Sequence, residues 1–303
     1  MPVNTPAPDS PRLLSQRADT ARISALYRYP LKSARGQSLP EARLVSTGFE
    51  HDRQWLLVTP QGRFITQREQ PRLALLRAEA TTAQLHLSAA DLPSLSITHS
   101  DAQVRSRVMI WRDECTAFDA GDAAADALSD WLGSPCRLVR FDPQQQRLSN
   151  RQYTGDIAAE NAFSDGYPLL LVGAASLSDL NQRVGRELPM NRFRPNIVLE
   201  GLGPYDEDQL QELHCGGLLL RAVKPCTRCS ITTTEQASGT LDGDEPLRTL
   251  KTYRHDAVLG GVTFGQNLVI VSGRGTLLRV GETLQLRWRR PSDQRVSAAG
   301  TGR

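Results

Sequence analysis

Val223-Lys224-Pro225-Cys226-Thr227-Arg228-Cys229-Ser230-Ile231-Thr232-Thr233-Thr234 sets two thiols three residues apart, beside two cations, at the end of an apolar run. In a chain of 303 residues with five cysteines, such a pair points to a metal ligand, a redox couple or an activated thiol, because a disulfide framework needs many more cysteines. Lys224 and Arg228 would favour the thiolate form that ligation or nucleophilic attack requires. The plain alternative is a solvated cation beside an inert thiol, and residue type alone leaves the two even. Zinc needs a second pair of ligands, whereas Cys115, Cys136 and Cys215 stand alone and the five histidines are scattered. A thioredoxin-like pair belongs at the start of a helix, but the β-branched run at 231–234 predicts a strand. Dinucleotide, P-loop and Gly-x-Ser-x-Gly signatures are absent, and a cysteine hydrolase has no specific support.

Outward from this stretch the chain reads as strand-rich. Residues 23–29 alternate and stop at Pro30; residues 53–59, the Pro60-Gln61-Gly62 turn and residues 63–66 predict a hairpin. Short strands are expected at 73–76, 85–87, 95–97, 104–111 and 116–118, the spacing of a small barrel or sandwich. Further strands follow at 136–141, 168–172, 196–199, 218–223, 268–271 and 275–288. Helices are expected at 123–132 and 175–184, closed by Gly133 and Gly185, and a short one from Glu245 to about Tyr253. The division is a disordered leader at 1–20, a first domain at 21–141, a polar linker or lid at 142–156, a second domain at 157–289 and a disordered tail at 290–303.

Composition narrows the classes. A hydrophobic fraction of 39%, a charged fraction of 23% and a negative mean hydropathy give no apolar run near the ~18 residues of a membrane span. A net charge of +3, spread among nearly as many acids, argues against nucleic acid and leaves a small anionic ligand open. The N-terminus lacks a secretory h-region, and an odd number of cysteines places the chain in a reducing cytoplasm.

Seven motifs then occur in order: Tyr29-Pro30-Leu31-Lys32-Ser33, Asp52-Arg53, Ile65-Thr66-Gln67-Arg68, Phe163-Ser164-Asp165-Gly166-Tyr167-Pro168, Asn191-Arg192-Phe193-Arg194-Pro195-Asn196, Lys224 through Cys229, and Phe264-Gly265-Gln266-Asn267. Together, from about Ile23 to Trp288, they resemble the MOSC family with its N-terminal β-barrel partner, as in YcbX-like proteins and mitochondrial amidoxime-reducing components. The resemblance implies a mixed α+β, β-rich fold: an N-terminal β-barrel-like domain followed by a MOSC β-barrel domain with flanking helices.

It also implies a molybdenum–molybdopterin cofactor with Cys229 as the protein ligand to the metal, leaving Cys226 as a packed small hydrophobe. Lys32, Ser33, Arg53 and Arg194 fall on the cofactor-binding positions, joined by Asp165, Gly166, Tyr167, Asn196, Thr227, Arg228, Gln266 and Asn267. The implied activity is reduction of N-hydroxylated compounds such as amidoximes, hydroxylamines and N-hydroxylated bases, with Asp165 as a candidate proton donor. No cysteine follows Cys229 to hold an iron–sulfur cluster, so electrons are expected from a separate ferredoxin, flavodoxin or cytochrome with its reductase. The competing readings are a cysteine-persulfide sulfur carrier, a molybdenum-cofactor carrier, and a binding module that has lost the metal.

Overall fold

The computed structural model describes residues 17–290. The expected leader and tail lie outside the described residues except at 17–20 and 290, and Thr20 already belongs to a strand. The fold is mixed α+β and strand-rich, organised around a closed barrel. Its seven strands are β1 (Thr20–Arg28), β2 (Leu169–Gly173), β3 (Ile197–Glu200), β4 (Leu210–Cys215), β5 (Leu218–Thr227), β6 (Gly261–Ser272) and β7 (Thr283–Trp288). They run in the order β2-β3-β1-β7-β4-β5-β6, and β6 returns to β2, so the barrel leaves no open edge in this cycle. Only β2 and β3 are parallel; the other pairs are antiparallel.

Period-two patterning explains the interior. On β5, Leu218, Leu220 and Ala222 are buried while Leu219 and Arg221 are only partly covered, and the buried set meets Ile23, Leu171, Ile197, Leu213, Leu268 and Leu284 in one core. Beyond Ala222 the alternation lapses, because bulges fall between Ala222 and Lys224 and between Pro225 and Thr227. A bulge re-aims the side chains that follow it, and here those are the two thiols.

Strand pairing crosses the expected division at 141/142. β1 comes from the first half yet lies between β3 and β7, and the Glu41–Val45 strand pairs with Leu277–Arg279. Alternation marks a strand and its buried face but carries no address for its partner, so chain order alone does not say which half a strand joins. The rest of the first half is a four-stranded sheet made of Trp55–Val58, Arg137–Phe141, Asp113–Asp119 and Val104–Ile110. It adds a meander through Arg77–Ala80, Gln84–Ala89 and Leu92–Thr98, with helix α1 (Asp122–Leu132) packed alongside. Leu31, Trp55, Leu57, Leu128, Trp131 and Leu138 share its core.

Two expected strands are short 3₁₀ helices. Pro71–Leu75 begins on a proline, which suits a first helical turn. In Ser230–Thr233 the hydroxyls of Thr232 and Thr233 donate to the carbonyls three residues back, at 2.9 and 2.8 Å, and this local bonding overrides the β-branched preference. The 53–66 hairpin has only one named strand; a bridge between Val58 and Phe64 holds its return. The 142–156 segment is built rather than irregular: Arg147–Leu148 pairs with Glu160–Asn161, and Asn150 caps a one-turn helix at Arg151–Thr154.

Helices α2 (Ala174–Val184) and α3 (Leu247–Tyr253) cover the barrel wall through Leu180, Leu250, Phe193 and Phe264. Beneath α2, the fully buried Glu207 accepts from the Gly173 amide at 3.1 Å and the Ser176 hydroxyl at 2.7 Å. Burial, then the neighbouring Asp208, pushes its carboxyl up to about 7. A folded-state value above the unfolded ~4.3 means the folded chain holds this proton longer, so the contribution is complete below ~4.3 and is lost as pH rises toward 7. Glu207→Gln should therefore raise the melting temperature relative to the parent more at pH 8 than at pH 4.5. Equal shifts at the two pH values in scanning calorimetry would refute this.

Candidate functional site

An open cleft lies where the loops before β2 and β3 and the end of β5 meet the first half. Lys32, Ser33 and Arg53 reach it from the first half; Asp165, Gly166 and Tyr167 precede β2; Arg194 and Asn196 precede β3. Thr227, Arg228 and Cys229 close the end of β5, and Asn267 faces in from β6. Gln266 alone among the expected residues is not in the wall. It is fully buried, and its Nε2 donates to Asp208 Oδ1 at 3.2 Å. Adjacent strand residues face opposite ways, so Asn267 and Gln266 do not share the cleft.

The cations are held firmly. Pro30 ends β1, and the Lys32 amide then bonds to the Trp55 carbonyl at 2.8 Å. The Lys32 ammonium, 6% exposed, donates to the Phe163 carbonyl at 2.9 Å and to Asp165 Oδ1 at 2.5 Å. Burial lowers the Lys32 pKa, and Asp165 opposes that shift. The Asp165 side chain is 68% exposed, opening into the cleft. Partial loss of water among the cleft walls pushes its carboxyl up, but Lys32, the Trp111 N–H and Arg53 outweigh this and hold it well below the usual carboxylate range. This balance favours the ionised carboxylate beside the Lys32 ammonium.

Arg53 and Arg194 both stack on the buried Tyr29 ring, each guanidinium carbon 4.2 Å from the ring centroid. Arg53 is ion-paired to Asp52, donates to Asn196 Oδ1 at 2.9 Å and reaches the Arg194 carbonyl at 3.2 Å. Asp52, buried, also accepts from the Tyr29 amide at 2.7 Å and Asn196 Nδ2 at 3.2 Å. Asn196 is thus a brace for Arg53 as well as a wall residue. Burial lowers the Arg194 pKa to about 10, which leaves it charged. Ser33, Arg53 and Arg194 all have positive φ, at 65°, 48° and 55°. Left-handed backbone at three non-glycine residues costs of order 1 kcal/mol each and clusters where function demands it.

The two thiols are unequal. Cys229 is exposed at the start of the 3₁₀ turn. Cys226 is not the packed hydrophobe expected: it is half-buried in the cleft wall, and its sulfur accepts from Arg228 Nη1 at 3.0 Å. The bulged strand end turns it toward the guanidinium instead of the core. Arg228 is anchored in turn by the Phe193 carbonyl, at 2.5 Å.

Arg147 escapes a sequence reading because it sits in a polar, Gln-rich run that looks solvated. It is buried, and it donates to the carbonyls of Ala162 at 3.0 Å, Ser164 at 2.6 Å and Asp165 at 3.4 Å while pairing with Asp113 at 2.8 Å. It therefore shapes the loop that carries Asp165. Arg147→Ala leaves buried carbonyls unpaired and should cost about 2–4 kcal/mol. A urea midpoint matching the parent would show the carbonyls find other donors.

The MOSC N-terminal beta barrel domain matches residues 20–135, and the MOSC domain matches residues 158–285. The chain belongs to the MOSC family. Its relatives include mouse mitochondrial amidoxime-reducing component 1, 35% identical over 291 residues covering 91% of this chain and 85% of the relative. The human component 1 is 33% identical over 294 residues, 92% and 86% of the two chains. Among solved structures, the YUAD protein of Bacillus subtilis is similar with a TM-score of 0.42 at 11% identity, covering 89% of this chain and 97% of that one.

The MOSC relatives carry mitochondrial names, which overturns the cytoplasmic placement. An odd number of cysteines fits a reducing environment but does not say which compartment supplies it. No helix among the described residues is long and apolar enough to cross a membrane.

Proposed function

We propose that this MOSC protein is a molybdenum-cofactor-dependent reductase of N-hydroxylated compounds, amidoximes among them, with Cys229 as the protein ligand to the metal. The observation that carries the reading is an exposed thiol in a cleft walled by Lys32, Arg53, Arg194 and Arg228, in a chain whose relatives are named for amidoxime reduction. The donor set fits such a group. Among the described residues no cluster of three or more His, Cys, Asp or Glu could hold a bare metal ion, so one thiolate suits a metal that brings its other ligands with it. Buried Arg228 Nε has no hydrogen-bond partner, a donor left over for an anionic or carbonyl-rich ligand.

When bound, the cofactor supplies two-electron redox chemistry. Arg53, Arg194 and Arg228 would hold its phosphate and pterin, Asn267 and the Gly166–Tyr167 backbone would border it, and Lys32 would hold a proton beside Asp165. Electrons would come from a separate redox protein. Exposure of Cys229 also suits the competing reading, a persulfide or cofactor carrier. Elemental analysis and sulfane-sulfur assay of protein made in a cofactor-producing host separate the two. Bound molybdenum together with benzamidoxime reduction by an artificial donor is expected; metal-free, persulfidated protein would overturn the reductase reading.

A further inference from the structure

Trp111 stands at the tip of the turn between Val104–Ile110 and Asp113–Asp119 with φ of 57°. Glycine or asparagine would take that left-handed conformation at less strain than tryptophan. Burial does not repay the strain: the side chain is 50% exposed, whereas Trp55 and Trp131 are buried in the first-half core. The ring is nonetheless fixed. Its indole N–H donates to Asp165 Oδ1 at 3.2 Å, so the turn is tied to the cleft wall. Phe64 lies against it with ring centroids 5.2 Å apart and planes at 58°, and the Arg68 guanidinium sits 4.6 Å from its centroid. An exposed, strained and immobilised aromatic ring beside a ligand cleft has the properties of a recognition surface.

We propose that Trp111 is a specificity-determining residue that gives planar, conjugated substrates a stacking face at the cleft mouth. This rests on the reading of the cleft as a site for N-hydroxylated compounds. The substrate class it selects is aryl or heteroaryl amidoximes and N-hydroxylated nucleobases over alkyl amidoximes and hydroxylamines. The amidoxime N–H groups would meet the Asp165 carboxylate beside the indole, while the conjugated ring covers the indole surface that Arg68 and Phe64 leave open.

Titration calorimetry of the purified protein with benzamidoxime and acetamidoxime, without an electron donor, reads this preference independently of turnover. The parent should favour benzamidoxime about tenfold; Trp111→Leu should cut that ratio about three- to tenfold, and Trp111→Phe should keep most of it. Trp111→Phe keeps an aromatic face and removes the bond to Asp165, so a loss as large as in Trp111→Leu would assign the effect to Asp165 positioning and overturn the proposal. Equal affinities in the parent, or a ratio unchanged by Trp111→Leu, would overturn it as well. Failure of the reductase reading would show separately, as a binding preference without reduction when electrons are supplied.

Discussion

Cys229→Ser should strip molybdenum from the purified protein by at least about tenfold and reduce benzamidoxime turnover by about a hundredfold or more. Losing even a supporting residue of a metal site typically costs ten- to a hundredfold, and a serine hydroxyl is a far poorer soft-metal ligand than a thiolate. The substituted side chain is exposed, so the unfolding free energy of metal-free protein should change by less than ~0.5 kcal/mol. Cys226→Ser is the matched control. It removes a sulfur that accepts from Arg228 and should leave most of the metal in place. Parent-like metal content in Cys229→Ser, with Cys226→Ser depleted, would move the ligand assignment to the other thiol.

Arg53→Ala carries the second large effect, and it falls on stability as well as on the cleft. The substitution deprives buried Asp52 of its ion-pair partner, removes a cation from the Tyr29 ring and removes the donor to Asn196 Oδ1. Stranding a buried carboxylate typically costs about 3–5 kcal/mol, which urea unfolding of the metal-free protein measures directly. Arg53→Lys restores the charge but lacks the fork that spans Asp52, Asn196 and the Arg194 carbonyl at once, so it should recover only part of the loss. A variant as stable as the parent would show that Asp52 is satisfied by Tyr29 and Asn196 alone.

Much of the fold is legible in the sequence because its signals are local. Gly133 and Gly185 stop helices where left-handed caps occur, and the run at 168–172 reads as buried because β2 has neighbours on both sides. The address of β1 is not legible, since its partners lie in the second half and alternation names no partner. The turn at Ser230–Thr233 escapes because two hydroxyl bonds beat a propensity worth a few tenths of a kcal/mol. At the site, the cations announce themselves through motifs. Arg147 and Trp111 do not: one hides in a polar run, and the other ends a predicted strand. The charge state of Asp165 is hidden for a different reason, because it depends on a lysine and an indole brought from distant parts of the chain.

The position of β1 between β3 and β7 makes this barrel a late structure on the ribosome. A strand near the start of the chain pairs with Gln37–Leu39 and then with Ile197–Glu200, but part of its edge stays open until Thr283–Trp288 has been made, and only then does the ring close. Pairings of such long sequence separation are slow and leave edges open meanwhile. The cleft, whose walls come from both halves, therefore depends on the two halves meeting across a long stretch of chain.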